Sequence, residues 1–541
     1  MPAAAAASVV AIMTVGASYK RTKIDGPFDA IVIGSGMSGL TTAAILSKHA
    51  GKRVLVLERH YTAGGFTHSF TRPGYEWDVG VHYIGQVGDR GALRGVFDYL
   101  TEGRLAWAPL PDVYDRIFLG DRSYDYVTGT KRFIQRMTDY FPREGKAIAA
   151  YVGLVKDVAR AGAGFYLDKT LPASVARFTG PLLRAPMLRH ADRTTAEVLA
   201  QLTEDRELRA VLAGQLGDYG LPPSRSSFAI HAAVASHYLG GGFFPIGGAG
   251  AIARAIAPVI ERSGGAILVR AEVQSILVEA GRATGVRMED GREFRAPIVV
   301  SAVGATNTYG RLLPAETAPP ELRASLKQVG PSISYVSLYL GFAETDEALG
   351  LTGTNVWLYP SADHDGSFDR YCADAEAPFP LVFISFPSAK DPTFRDRHPG
   401  HSTVDVIVPA RYDWFAAWEG TRWQKRGDGY EALKARFTER LLGAVFEQLP
   451  QLRGKVDHAE LSTPLSAAHF GAYRRGELYG LDHTPARYRM PIRVSTPLGG
   501  LYLTGQDLVS CGVSAALMGG VLTAAGIAGP GALVAAMRPR S

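Results

Sequence analysis

The first regular pattern along the chain is a short apolar run, residues 28–33 (FDAIVI), whose β-branched end suits a strand buried on both faces. It leads directly into Gly34-Ser35-Gly36-Met37-Ser38-Gly39. Apolar positions then recur at Leu40, Ala43, Ala44 and Leu46, the spacing of a helix, with Gly51 placed to cap its C-terminus. A second apolar run, 53–57, closes on Glu58 and completes a βαβ half-unit. From about residue 91 to 235 the period changes to that of amphipathic helices. Within it, Thr194 and Glu197 are spaced as a capping box ahead of Val198, Leu199 and Leu202. Strand patterns return after Phe243-Phe244-Pro245-Ile246-Gly247-Gly248 and a helix ending near Gly264-Gly265. Short strands are predicted over 266–269, 273–278, 285–288 and 298–301, with a turn at Asp290-Gly291. An aromatic-rich mixed region covers about 308–490. The chain closes with a strand over 501–504 and an uncharged Gly/Ala/Ser-rich stretch, 508–537.

Composition narrows this picture. A length of 541 residues suits two interleaved domains, and 46% hydrophobic with 20% charged residues is the balance of a folded protein. The net charge of +6 is too dilute for a nucleic-acid partner but compatible with a basic surface beside anionic lipid. Two cysteines, Cys372 and Cys511, exclude a disulfide scaffold and point to a reducing compartment, the cytoplasm. The uncharged stretch 3–17 is too short to cross a bilayer comfortably and has no basic residue ahead of it, so residues 1–27 read as a flexible leader, with a start at Met13 as the alternative. The stretch 508–537 has the length of a span. Its small residues, Gly519-Gly520 and Pro530 instead predict a buried helix packed closely against another element.

Gly34, Gly36 and Gly39 form a G-x-G-x-x-G fingerprint between a strand and a helix. The first permits the tight turn, the second lets backbone approach a pyrophosphate, and the third lets helix and strand pack closely. The helix N-terminus offers free N–H groups to the phosphates. Glu58, nineteen residues on at the end of the second strand, is placed to accept from both hydroxyls of an adenosine ribose and to repel a 2′-phosphate. No Gly-x-Ser-x-Gly elbow, Walker loop or Cys-x-x-Cys pair competes with this site, and no metal centre is predicted. Asp363-His364-Asp365 reads as a solvated loop.

The residues beyond the fingerprint separate the possible dinucleotides. Glu58-Arg59-His60, Gly64-Gly65, residues 66–70 (FTHSF) and residues 78–85 (DVGVHYIG) resemble the flavoprotein family of phytoene desaturases, carotenoid isomerases and retinol saturases, most closely the retinol saturase branch. Three further blocks, 245–306, 463–483 and 500–520, resemble the family in its order. The resemblance implies an α/β fold: a Rossmann-like FAD-binding domain assembled from residues 28–90, 236–310 and 491–541, with an inserted α+β substrate domain from 91–235 and 311–490. It implies that Gly34, Ser35, Gly36 and Gly39 cradle the FAD pyrophosphate, and that Glu58, with Arg59 beside it, holds the ribose. By the same resemblance Gly64 and Gly65 approach the flavin, Val273 pairs with adenine through its backbone, and Gly505 and Asp507 meet the ribityl–phosphate arm. The 508–537 helix would then turn its positive end toward the flavin ring.

The activity so implied is redox chemistry on a C=C bond of a hydrophobic polyene or unsaturated lipid, with reduction favoured and NAD(P)H as a possible electron donor. Desaturation or cis–trans isomerisation on the same flavin is the alternative within the fold, and a non-catalytic lipid-binding flavoprotein is the alternative outside it. Reduction needs a proton beside the hydride, and His82, Tyr83 and His483 are the candidate donors. Residues 171–190 (LPASVARFTGPLLRAPMLRH) alternate apolar groups with Arg177, Arg184 and Arg189, which predicts peripheral docking on a membrane through Leu182, Leu183 and Leu188.

Overall fold

A computed structural model describes residues 14–538, so most of the uncharged leader lies outside the described residues. Six parallel strands form the first sheet, in the order Ala17–Ser18, Ala266–Val269, Val54–Glu58, Ala30–Ile33, Ile298–Ser301 and Leu501–Leu503. Strand alternation divides its residues between two cores. Ala30, Val32, Val54 and Val56 face the helices Met37–Ala50, Gly250–Glu261 and Gly512–Ala528. Ile31, Ile33, Leu55 and Leu57 face the antiparallel sheet Val273–Glu279, Arg282–Met288, Glu293–Arg295. Both faces are covered, which is why these strands are apolar throughout.

The part of the leader within the described residues is ordered. Ala17–Ser18 pairs with Ala266–Val269 and so covers a sheet edge that would otherwise present unpaired backbone groups. Val15 and Tyr19 are buried, and Val15 N donates to Thr62 Oγ1 at 3.1 Å. A flexible leader over the whole of 1–27 is therefore corrected for residues 15–19.

The stretch 508–537 folds as two helices, Gly512–Ala528 and Pro530–Met537, and no helix among the described residues is long and apolar enough to cross a membrane. Its small residues have a packing cause. A Cβ on Gly520 would stand 2.5 Å from Thr41 Cβ and 2.6 Å from the Ser38 carbonyl oxygen, so only glycine lets this helix lie against Met37–Ala50.

The second sheet has seven strands, in the order Val456–Ser462, Ser334–Phe342, Ser402–Ala410, Val382–Ser385, Asn355–Tyr359, Val113–Leu119 and Arg122–Val127. Every pairing is antiparallel except Asn355–Tyr359 with Val113–Leu119. One face packs against a helical layer that includes Thr130–Tyr140, Gly145–Asp168 and Phe228–Tyr238. The other packs against Asp428–Gln448. The capping box at Thr194 and Glu197 is present ahead of the helix Thr195–Leu202. Asp363-His364-Asp365 opens the helix His364–Ala373 rather than forming a solvated loop: Asp363 caps it, and His364 is buried with Nε2 3.0 Å from the Ala210 carbonyl.

Candidate active site

The three fingerprint glycines have three different physical requirements. Gly34 has φ +94°, a conformation side chains rarely adopt. A Cβ on Gly39 would stand well inside contact distance of the Gly34 carbonyl oxygen, whereas one on Gly36 would meet no protein atom within 4 Å. Gly36 thus faces the cavity and leaves the backbone open to a ligand. The helix it opens has neither a side-chain cap nor an acidic residue in its first turn, so its leading N–H groups are free for an anion.

Glu58 is buried and fixes this turn. Its Oε2 accepts from Ser35 N (2.9 Å) and Ser35 Oγ (2.7 Å), and its Oε1 accepts from His60 N (2.8 Å). A carboxylate offers about four acceptor positions. Three are filled by the chain itself, which leaves capacity for one ligand hydroxyl rather than the two expected from sequence. Gly64 N donates to the Ser35 carbonyl at 3.1 Å, and a Cβ on Gly65 would lie 2.8 Å from Gly36 Cα, so these glycines close the turn from the other side. Arg59 is engaged elsewhere, its Nε 3.4 Å from Glu272 and its Nη1 donating to the His469 carbonyl at 3.0 Å. Val273 is buried at the start of its strand and lines the cavity. Asp507 Oδ2 accepts from Ala305 N (2.8 Å) and Oδ1 from Leu481 N (3.0 Å), tying three distant segments together beside Gly505, whose φ is +112°.

Gly34, Gly36, Glu58, Arg59, Gly64, Gly65, Val273, Gly505 and Asp507 line one cavity of about 1320 Å³, and Ser35 and Gly39 do not. A single small-molecule site occupies roughly 300–1,000 Å³, so this volume suits a dinucleotide together with a second ligand. The rest of the wall is largely apolar and aromatic, including Val158, Met187, Val234, Trp357 and Phe383. Leu167 and Met537 line it while remaining 42% and 46% exposed, so the cavity reaches the surface beside them. The Ser510 hydroxyl, also in the wall, is buried without a partner among the described residues. Open backbone at Gly36, free helix N–H groups, a fixed acidic acceptor and an unpaired hydroxyl fit the diphosphate, ribose and ribityl groups of FAD.

Of the candidate proton donors, the structure brings two to the cavity. His82 lines it with Nδ1 3.4 Å from Asp405 Oδ2, and burial pushes the Asp405 carboxyl up. Tyr83 lines it with its hydroxyl 2.9 Å from Asp115 Oδ2 and 3.3 Å from Asp218 Oδ2, its ring stacked on Tyr238 at 4.1 Å. His483 is not among the lining residues. It is fully buried, neither ring nitrogen has a hydrogen-bond partner among the described residues, and burial and then the Arg487 charge hold it well below its usual pKa. It is thereby corrected from a donor to a neutral packed ring; its carbonyl accepts from Ser227 N at 2.9 Å.

Sequence reasoning missed Asp115, Asp218, Lys390, Asp405 and His237. His237 Nε2 accepts from Gly85 N at 2.7 Å and lies 3.1 Å from Ser514 Oγ, and burial lowers its pKa to about 4, so it is neutral. Lys390, buried beside Asp115 and Asp405, is lowered to about 7 by desolvation. Two of the carboxyls carried a signal: Asp115 has the same strand parity as Ile117 and Leu119, and Asp405 that of Ile407.

Comparison with known proteins identifies the family and the fold. Residues 37–528 match the family described as flavin containing amine oxidoreductase. The chain is 40% identical to all-trans-retinol 13,14-reductase of Homo sapiens across 94% of this chain and 87% of that protein. It is 27% identical to prolycopene isomerase 1 of an Oncidium hybrid cultivar across 94% of this chain and 85% of that protein. Among solved structures, cyclohexylamine oxidase from Brevibacterium oxydans shares the fold at a TM-score of 0.59 and 18% identity, covering 94% of this chain and 99% of that one. By the family match and by a relative at 40% identity over nearly its whole length, the chain belongs to the flavin-containing amine oxidoreductase family.

Proposed function

We propose that this FAD-dependent oxidoreductase reduces a carbon–carbon double bond in a hydrophobic polyene, in the manner named for its retinol 13,14-reductase relatives. The observation that carries the reading is one cavity that joins the dinucleotide turns, a long apolar wall and a cluster of proton-bearing groups. FAD, when bound, supplies the hydride chemistry. The chain supplies the rest. Glu58, Gly36 and Asp507 hold the cofactor, with Ser35 fixing the Glu58 carboxylate from behind, and the cleft between the six-stranded and seven-stranded sheets takes the polyene. We assign the sequence-derived division accordingly, with 28–90, 236–310 and 491–541 binding FAD and 91–235 and 311–490 binding substrate. Tyr238, Tyr335 and Tyr479 exclude water from the reacting end, and burial holds each phenol well above its usual pKa, hence neutral.

The reductant in this reading is a nicotinamide nucleotide, NADH or NADPH, and anaerobic bleaching of the flavin by either one tests that arm. Access is from a membrane surface on the cytoplasmic side. The helix Ala173–Ala191 presents Phe178 and Leu182, 81% and 79% exposed, one turn apart with Val175 on the same face. Leu188 instead packs against the core and Leu183 is half-buried, so the docking residues are Val175, Phe178 and Leu182 with Arg177 and Arg189 beside them. Product mass decides the activity: reduced holoenzyme should convert an all-trans polyene alcohol to a product heavier by two hydrogens. A product of unchanged mass and altered double-bond geometry would favour the isomerase reading, which the 27% relatives support.

A further inference from the structure

Tyr83 stands between two carboxyls that cannot both be served by one phenolic hydrogen. Its Oη lies 2.9 Å from Asp115 Oδ2 and 3.3 Å from Asp218 Oδ2, and a phenol has a single O–H. Asp115 is completely buried and has two other donors, Asn355 Nδ2 on Oδ1 at 2.9 Å and Gln215 Nε2 on Oδ2 at 2.8 Å. Behind it lies Lys390, whose amine donates to Asn355 Oδ1, to Ser385 Oγ at 2.7 Å and to the His82 carbonyl at 2.9 Å. Burial pushes the Asp115 carboxyl up and these donors oppose it; with two donors besides Tyr83, Asp115 is the better served of the two carboxyls as an ionised acceptor of the Tyr83 hydrogen. The Asp218 carboxyl has the Tyr83 oxygen as its one hydrogen-bond partner among the described residues. That contact is satisfied when Asp218 carries a proton and donates it to Tyr83 Oη.

Position separates the two carboxyls further. Asp115 is not in the cavity wall, whereas Asp218 is, together with Gly217, Tyr83, Tyr335 and Tyr479. The Asp218 carbonyl accepts from Cys511 Sγ at 3.4 Å, one residue ahead of the helix Gly512–Ala528, so it sits at the N-terminus of that helix. The titratable groups around it are Tyr83, Tyr219, Tyr238, Tyr335, Tyr359, Tyr479, Cys511 and Asp115. Burial raises the six phenols well above their usual range and the thiol to about 12, which leaves Asp115 as the charged group acting on Asp218. Burial first, and that charge second, hold the Asp218 carboxyl well above the usual carboxylate range.

We propose that Asp218 is the general acid of the reduction, poised by a directed chain from Asp218 through the Tyr83 hydroxyl to Asp115. The proposal rests on the reductase reading. The alkene takes a hydride, with its electron pair, on one carbon from a two-electron donor of the flavin class. The neighbouring carbon takes the Asp218 proton: the Asp218 O–H bond breaks, a C–H bond forms, and the π bond becomes two C–H bonds. Asp218 is left as a carboxylate beside Asp115, and their repulsion drives its reprotonation from water after the product leaves. Asp218 is the catalytic residue; Tyr83 and Asp115 are positioning residues.

The test uses FAD-loaded protein labelled with carboxyl-13C aspartate. Asp78, which burial raises to about 8, contributes a C=O band of its own, so the readout at pH 7 is the parent-minus-variant infrared difference: a protonated-carboxyl C=O band should appear in parent minus Asp218→Asn and be absent from parent minus Asp115→Asn. In single turnovers, Asp218→Asn should lower the rate of saturation roughly 10²–10⁴-fold with flavin content and chemical reduction of the flavin unchanged. Parent activity should fall as pH rises through the Asp218 titration, and Tyr83→Phe should shift that profile to a different pH. If Asp218→Asn does not fold, Asp218→Glu should retain measurable turnover, with the protonated-carboxyl band moved from the 13C-aspartate position to that of an unlabelled carboxyl. Saturation at the parental rate in Asp218→Asn, or a parent-minus-Asp218→Asn difference spectrum without the protonated-carboxyl band, overturns the proposal. A parent that makes no saturated product overturns the reductase reading instead, and the band alone then decides where the proton resides.

Discussion

Replacing Glu58 with glutamine isolates the carboxylate at the centre of the dinucleotide turn. The native side chain accepts on both oxygens, from Ser35 N and Oγ on one and from His60 N on the other, at 2.7–2.9 Å. An amide accepts on one side only. With its oxygen toward Ser35, the NH₂ group faces the His60 N–H; reversed, it faces the Ser35 N–H. In either orientation one buried donor loses its acceptor and the remaining bonds lose their charge assistance. An unsatisfied buried donor costs about 1–3 kcal/mol, and bonds to a charged group exceed neutral ones by about 1 kcal/mol. The turn therefore loses about 2–4 kcal/mol, offset in part by rotation of the Ser35 hydroxyl. FAD must bind the ordered turn, so most of this loss passes to affinity. We expect a Kd increase of roughly 30- to 100-fold, the equivalent of about 2–3 kcal/mol. Calorimetric titration of the apoprotein with FAD reads this directly, and Glu58→Arg, which adds a bulky cation, should retain less flavin still. A Glu58→Gln protein that binds FAD within threefold of the parent would refute this account of the turn.

Three further outcomes are expected from other parts of the structure. Gly520→Ala places a methyl 2.5 Å from Thr41 Cβ and should lower unfolding stability by about 1–3 kcal/mol, seen as a lower urea midpoint with an unchanged slope. Lys169 is buried with its amine donating to the Ile492 carbonyl at 3.1 Å, and desolvation, then the Arg487 and Arg493 charges, lower its pKa from 10.5 to about 7. Its unfolded form binds more protons between those values, so this group makes stability rise from pH 7 toward pH 10.5; Lys169→Met should flatten that rise in urea melts at pH 7 and pH 9.5. Changing Phe178 and Leu182 together to Asp should abolish flotation with anionic vesicles. Arg177→Glu with Arg189→Glu should weaken it and reduce its salt dependence, each arginine contributing about 1 kcal/mol; equal flotation of parent and variants would remove this face from consideration.

Five of the six strands of the first sheet were legible because their signals are local, whereas Ala17–Ser18 lies in the segment that read as a flexible leader. The strands Ala266–Val269 and Ile298–Ser301 coincide with their apolar runs, and Gly51 caps the first helix in the left-handed conformation as its position predicts. The seven-stranded sheet was not, because its one parallel pairing joins Val113–Leu119 to Asn355–Tyr359 across some 240 residues and no local pattern encodes that partner. The same distance hid the proton cluster. Asp115, Asp218 and Lys390 come from a strand, a short turn and a short helix that meet only in the folded chain. His483 misled for the converse reason: it lies in a block resembling the family, yet its ring turns into the protein interior and only its backbone takes part in hydrogen bonding. In 171–190 the sequence showed an apolar and basic composition, but which leucine faces solvent depended on how the helix rolls against Gly145–Asp168.

The measurement that bears most directly on the central claim is the stoichiometry of a single anaerobic turnover. Holoenzyme reduced by one hydride equivalent per flavin is mixed with excess all-trans polyene alcohol, and flavin reoxidation is followed by absorbance while the quenched products are counted by mass. The account predicts one saturated double bond for each flavin reoxidised, with solvent deuterium incorporated in at least one of the two new C–H bonds, the one whose hydrogen arrives through an ionisable acid. Products of unchanged mass formed many times over while the flavin stays reduced, or a flavin that stays reduced with the polyene merely bound, would contradict it.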